Sequence, residues 1–335
     1  MPLDLDVVGI GNAIVDVMAP GDDAFLAHHG MSKGAMTLVD EARAAEIYAA
    51  MGTTVTASGG SAANTIAGIA ALGGRTGFIG KLRDDELGAA FRHDITSAGT
   101  VFRTPPAGAG PSTARCLIVV TPDSQRTMNT FLGASGDLAP ADVDRELIEA
   151  ARVVYLEGYL YDAPSAQKAF HEASGIAHDA RRAVALTLSD PFCVQRHRAA
   201  FLDLIERHVD VLFANRIELL ALFQTEDFEG TLERVRSVTG VAAITSGAHG
   251  STMVAGDETI HIPAAPAHVV VDTTGAGDSY AAGFLFGMTR NASLFDCGRL
   301  GSVAAAEIIG HFGARPLEDL RALAAASMTD STITF

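Results

Sequence analysis

Short apolar runs recur along this chain, separated by stretches in which apolar residues return every three or four positions. Val7-Val8-Gly9-Ile10-Gly11 opens the series, and residues 152–156, 183–188, 209–213 and 241–245 continue it, each with the length and apolar content of a buried strand. Between the later runs, residues 163–180, 196–208 and 228–239 carry a helical period over three or more turns. Strand and helix therefore alternate. The alternation predicts βαβ units, a parallel sheet buried on both faces, and ligands at the carboxyl ends of its strands. Helical patterns return over residues 279–290, 294–309 and 316–326. Two regions break the rhythm: residues 14–39 and 101–132 read as extended pieces with turn residues, among them 113–120 and 126–131, and predict a small β-rich lid. With no internal repeat or low-complexity linker, residues 1–335 read as one domain carrying that lid.

Charge narrows the partners. Forty acidic against 24 basic residues leave a net charge of −16, which repels phosphate backbones and anionic headgroups and disfavours nucleic acid and membranes. An anionic substrate then needs a locally positive pocket built from backbone N–H groups, a cation or a few arginines. Hydrophobic residues at 48% and charged residues at 19% suit a packed globule. The three cysteines have no metal-ligand or redox spacing, and the 11 histidines form no zinc-binding pattern. The opening Met1-Pro2-Leu3-Asp4-Leu5-Asp6 lacks a basic leader, so the expected location is cytoplasmic; monomer and homodimer both stay open.

Three segments carry candidate chemistry. In Thr274-Gly275-Ala276-Gly277-Asp278, two glycines let the backbone approach a ligand, and their N–H groups with the positive end of the following helix would face the charge of a phosphoryl group in transfer. Asp278 is a candidate base there, although a carboxylate at a helix start also serves as a cap. Asn215 and Glu218, three apart after the run 209–213, would share a helix face and hold a hydrated Mg²⁺ beside ATP phosphates, or simply start a helix. In Ser58-Gly59-Gly60-Ser61-Ala62-Ala63-Asn64, small residues admit a polar ligand, Asn64 could hydrogen-bond a sugar hydroxyl, and Asp16 could accept two hydroxyls of one ribose. A glycine-rich helix entry also serves close packing, and a loop aspartate is often a turn residue.

In this order the three segments resemble the PfkB, or ribokinase-like, family of carbohydrate and nucleoside kinases over nearly the whole chain. The resemblance implies a three-layer α/β/α fold with a mostly parallel central sheet, ATP as donor and magnesium as cofactor. It implies Asp278 as base, Gly275, Ala276 and Gly277 as anion hole, Asn215 with Glu218 as the metal and phosphate element, and Thr245, Ser246, Gly247 and Gly250 as nucleotide lining. Asp272 and Thr273 match positions that hold potassium in relatives. Within the family, Gly11-Asn12-Ala13-Ile14-Val15-Asp16 and Thr187-Leu188-Ser189-Asp190-Pro191-Phe192 resemble adenosine kinases, the second with Asp190 in place of a small residue. That places Asn12, Asp16, Gly60, Ser61 and Asn64 around adenosine, and Arg126, after the turn at Asp123-Ser124, over the phosphates. A sugar kinase acting on ribose or a hexose derivative uses the same catalytic end, and a non-catalytic metabolite sensor would be expected to lack the base. A dinucleotide-binding dehydrogenase needs a glycine where Ile14 stands, and a P-loop needs Ser or Thr where Leu82 stands.

Overall fold

The computed structural model describes residues 4–123, 125–331, 333 and 335; Met1, Pro2, Leu3 and Ser124, on which parts of the reading above fall, lie outside these. In chain order the strands are β1 Leu5–Ile10, β2 Ile14–Pro20, β3 Met36–Leu38, β4 Val55–Gly59, β5 Thr76–Ile79, β6 Val101–Phe102 and β7 Ala114–Val120. They continue as β8 Arg126–Phe131, β9 Ala151–Glu157, β10 Ala183–Thr187, β11 Val211–Asn215, β12 Val241–Thr245, β13 Ser251–Ala255 and β14 Glu258–Ile262. Nine of them form one sheet in the order β14-β13-β12-β11-β10-β9-β1-β5-β6, parallel from β12 to β6. β13 and β14 add antiparallel at one edge. Two apolar clusters cover the sheet's opposite faces: one joins Val7, Tyr155, Phe213 and Phe284, the other Val8, Val154, Leu186 and Phe170. Each strand thus buries both sides, which is why its run is continuously apolar rather than alternating.

A five-stranded sheet, ordered β3-β8-β7-β2-β4, stands apart from the large one. Here the strands do alternate. Val15, Val17 and Leu117 join the main core, while Ile14, Cys116 and Ile118 form a small cluster on the opposite face. The extended reading of 14–39 is interrupted by a helix, Asp23–His28, whose first turn Asp22 caps by accepting from the Phe25 N–H at 2.8 Å. Within 101–132, Val101–Phe102 pairs with the large sheet and only β7 and β8 enter the small one. Asp190, the departure noted in the sequence, starts helix Pro191–His208, its Oδ1 accepting from the N–H groups of Phe192 and Cys193 at 2.8 and 2.9 Å. No helix of the described residues is long and apolar enough to cross a membrane.

Candidate functional site

Helix Ala276–Thr289 begins at Gly275, whose φ of 78° is left-handed and whose Cβ position would fall 2.6 Å from that of Ala314. Glycine is therefore required there. The helix starts three residues before the 279–290 pattern, so Asp278 is its third residue, and its side chain caps nothing. Instead Oδ1 accepts from Ser61 Oγ at 2.6 Å and Oδ2 from Asn64 Nδ2 at 3.0 Å. Burial pushes the Asp278 carboxyl upward, and the two hydrogen bonds and Arg315 oppose this. The N–H groups of Gly277 and Asp278 lie in the first turn, where a helix offers no acceptor, while that of Ala276 is engaged by the Thr273 carbonyl at 3.2 Å.

Ser61 and Asn64 reach Asp278 because helix Ser61–Ala71 starts at Gly60, with φ 93° and no room for a Cβ beside the Asn12 carbonyl. Asn12, just past β1, is committed on both ends of its amide: Nδ2 donates to Glu157 Oε1 at 2.6 Å, and Oδ1 accepts from Ser135 Oγ at 2.8 Å. Glu157 ends β9, is 1% exposed, and also accepts from the Asn12 and Ala62 N–H groups at 3.3 and 2.8 Å. Burial raises its pKa to about 7 against these donors.

Asp16 points from β2 into the same cavity, its pKa raised to about 7 by burial, with Arg315 and Arg126 pulling it down and Asp278 raising it. Arg126, at the start of β8, pairs with Asp272 through Nη2 at 2.7 Å, and its guanidinium sits 5.6 Å from the centre of the Phe312 ring. Asp272 also accepts from Thr274 N–H and Oγ1 at 3.1 and 2.8 Å and from the Gly313 N–H at 3.4 Å. Arg126 thus lies against the turn from Asp272 to Asp278, with its Nε buried and lacking an acceptor.

On the far side, Asn215 and Glu218 form a reciprocal cap. Asn215 N–H and Nδ2 donate to the two Glu218 oxygens at 2.9 and 2.7 Å, and the Glu218 N–H donates to Asn215 Oδ1 at 2.9 Å. Burial lifts Glu218 to about 7. Thr245 ends β12, and a tight turn follows: the Ser246 N–H donates to the Gly250 carbonyl at 2.8 Å, and Gly247 and Gly250 take φ of 56° and 80°. These elements ring a cavity of about 450 Å³ lined by Asn12, Asp16, Gly60, Ser61, Asn64, Asn215, Glu218, Thr245 and Asp278. Asn12, Asn215, Glu218 and Thr245 lie at the carboxyl ends of parallel strands β1, β11 and β12 or just beyond them, while Gly60, Ser61 and Asn64 open the helix that follows β4 of the small sheet and Asp278 the helix that follows β14.

The sequence pattern of the pfkB family carbohydrate kinases matches residues 35–320. The chain belongs to this family. Kinases of the family pass a phosphoryl group from ATP, usually with magnesium, to small-molecule hydroxyls, and this kinase has their ribokinase-like fold. The structure of a probable sugar kinase from Rhizobium etli superposes with a TM-score of 0.92 at 45% identity, covering 97% of this chain and 99% of the other. That of adenosine kinase from Sinorhizobium meliloti gives 0.91 at 50% identity over the same shares. Adenosine kinase of Saccharomyces cerevisiae is 27% identical over 312 residues, 86% of this chain and 90% of its own.

For magnesium, the Glu218 oxygens each keep capacity beyond the cap, which suits contact through water, and among the described residues no three His, Cys, Asp or Glu side chains are grouped as direct ligands. For potassium, the Asp272 carboxylate is neutralised by Arg126 and both oxygens are engaged, so the kinase does not present it as an open ligand. For ATP, the bare first-turn amides fit a phosphate. Sequence reading missed Glu157, Ser135 and Arg315. Glu157 had a signal in the lone carboxylate that ends an apolar strand before Gly158; Arg315 had none.

Proposed function

We propose that this kinase phosphorylates the 5′-hydroxyl of a purine nucleoside, adenosine by preference, with ATP as donor and AMP and ADP as products. The observation that carries the reading is the wall across from Asp278, where Ile14, Met36, Leu38, Cys116, Ile118 and Met128 line the cavity beside Asp16. A free sugar presents hydroxyls on every side and would leave them unpaired against such a wall. A purine ring buries its faces there, with methionines adapting to its outline. Asp16 then accepts the ribose hydroxyls, and Gly60, Ser61 and Asn64 seat the 5′ end at Asp278. Asp278 takes the hydroxyl proton as that oxygen attacks the γ-phosphorus in line, and the Gly277 and Asp278 amides face the developing charge. Asn215 and Glu218 would hold a hydrated magnesium ion, which would supply charge neutralisation for the donor phosphates. The five-stranded sheet serves as the lid that keeps water from the phosphoryl group.

The likeness to the Sinorhizobium adenosine kinase supports this acceptor; the likeness to the Rhizobium sugar kinase keeps the sugar alternative in view. ADP-coupled assays with adenosine, inosine, cytidine, ribose and fructose should give kcat/KM for adenosine at least about 10²-fold above either sugar, the scale of an unpaired buried polar group or two. A panel led by ribose or fructose refutes the nucleoside assignment while leaving phosphoryl transfer intact. Asn215→Ala should lower stability by about 1 kcal/mol through the lost cap. It should also raise KM for ATP severalfold, which a purely structural cap would not do; an unchanged KM removes the pair from the donor site.

A further inference from the structure

Arg315 belongs to the loop between helices Leu294–Ile308 and Leu320–Ser327, outside every segment that carries the chemistry. The loop is pinned to the catalytic turn: the Val271 N–H donates to the Ile309 carbonyl at 2.8 Å, the Gly313 N–H to Asp272 at 3.4 Å, and Ala314 packs on Gly275. From there Arg315 Nε donates to Asn64 Oδ1 at 3.1 Å, and the other end of that amide donates to Asp278. Its Nη2 is buried with no acceptor.

An asparagine amide has two ends that differ only in hydrogen-bond sense. A guanidinium donates and never accepts, so beside Arg315 the oxygen end must face the arginine and the NH₂ end must face Asp278. The reverse orientation would set NH₂ against guanidinium and oxygen against carboxylate, two repulsions in place of two bonds. We propose that Arg315 is the positioning residue of the base: by holding Asn64 it fixes the amide so that its donor end meets Asp278. With Ser61 on the other oxygen, both Asp278 oxygens are acceptors, the arrangement of a carboxylate ready to take a proton. The positive charge adds to this. Around Asp278 stand Asp16 from the small sheet, Glu157, Tyr155 and Tyr159 from β9 and the turn after it, and Arg315 from the loop; Arg126 faces Asp16, and Asp94 also faces Arg315. Of the cations, Arg315 is the one that opposes the upward push of burial on Asp278.

The inference rests on Asp278 as base and not on which acceptor is used. The test measures kcat against pH, at saturating ATP and the best acceptor of the panel, for Arg315→Met, Arg315→Gln and Arg315→Lys. Arg315→Met should lower kcat about 10- to 100-fold near neutral pH and move the acidic limb up by about one pH unit, the effect of a nearby opposite charge on a carboxylate. Arg315→Lys should return the limb to its original place while kcat stays reduced, because an ammonium keeps the charge without the planar donor set. Arg315→Gln keeps a donor for Asn64 without the charge, so its limb should shift as in the Met variant; if the Met variant fails to fold, the Gln and Lys pair decides. The same shift in an Asp16→Asn background assigns it to Asp278 rather than Asp16. Unmoved limbs and parental kcat in the neutral variants, or a Lys variant displaced as far as Met, overturn the proposal. Absence of turnover by the parent with every acceptor would instead refute the kinase chemistry of Asp278.

Discussion

Asp278→Asn is expected to lower kcat by a factor of about 10² to 10⁴, the range in which a positioned general base contributes. The substitution preserves shape and volume but removes the proton acceptor. One of the two donors on this side chain, Ser61 Oγ or Asn64 Nδ2, then meets an NH₂ group in place of an oxygen. Stability should change little, because burial disfavours the ionised carboxylate that the change removes. Steady-state kinetics at saturating substrates, paired with a thermal melt, separate the two effects. An Asn variant within tenfold of parental kcat and melting normally excludes Asp278 from proton transfer.

Glu157→Leu should damage both fold and activity. The side chain fits the space, but the Asn12 N–H, Asn12 Nδ2 and Ala62 N–H lose their acceptor in a site where Glu157 is 1% exposed. At the low end of the cost of a stranded buried donor, the three together cost about 3 kcal/mol. For 335 residues, at roughly 2.1 cal/mol/K of unfolding entropy per residue, this is a fall of about 4 °C in Tm. The pH dependence identifies the cause. Burial raises the Glu157 pKa from 4.5 to about 7, so its proton stabilises the folded chain fully below about 4.5 and this contribution is lost as pH rises through about 7. The deficit of the Leu variant should accordingly be larger at pH 5 than at pH 8. Activity should fall at least tenfold, since Asn12 and the start of helix Ser61–Ala71 lose their common anchor. A variant with parental Tm at both pH values contradicts the account.

The large sheet was legible because strands buried on both faces leave unbroken apolar runs, and all five runs begin and end within two residues of the observed strands. The small sheet was harder. β4 carries Val55 at 64% exposure, and β3 is three exposed residues whose place is set by pairing with β8, so neither leaves a period to detect. Asp23–His28, Glu41–Ala50 and Glu86–Ser97 went unread although Asp22, Asp40 and Asp85 cap them. The candidate turn was readable because its glycines, amides and Asp278 are consecutive. The parts that complete it come from elsewhere, Asn64 lying 214 positions before Asp278 and Arg315 lying 251 positions after Asn64, and no local pattern records such a meeting.

That distance has a consequence for synthesis. The chain is made from its amino end, and the apolar layer on one face of the large sheet is nearly complete once β12 has emerged, while the other face still lacks helix Ala276–Thr289 with Phe284. The turn from Asp272 to Asp278 follows later; Arg126, Ser61 and Asn64 already stand ready for it, but its backing from Ile309, Gly313, Ala314 and Arg315 arrives only behind it. A nascent chain can therefore hold one packed face of the sheet and still be inert, and the second face and the phosphoryl-handling turn are completed together by the final stretch of polypeptide.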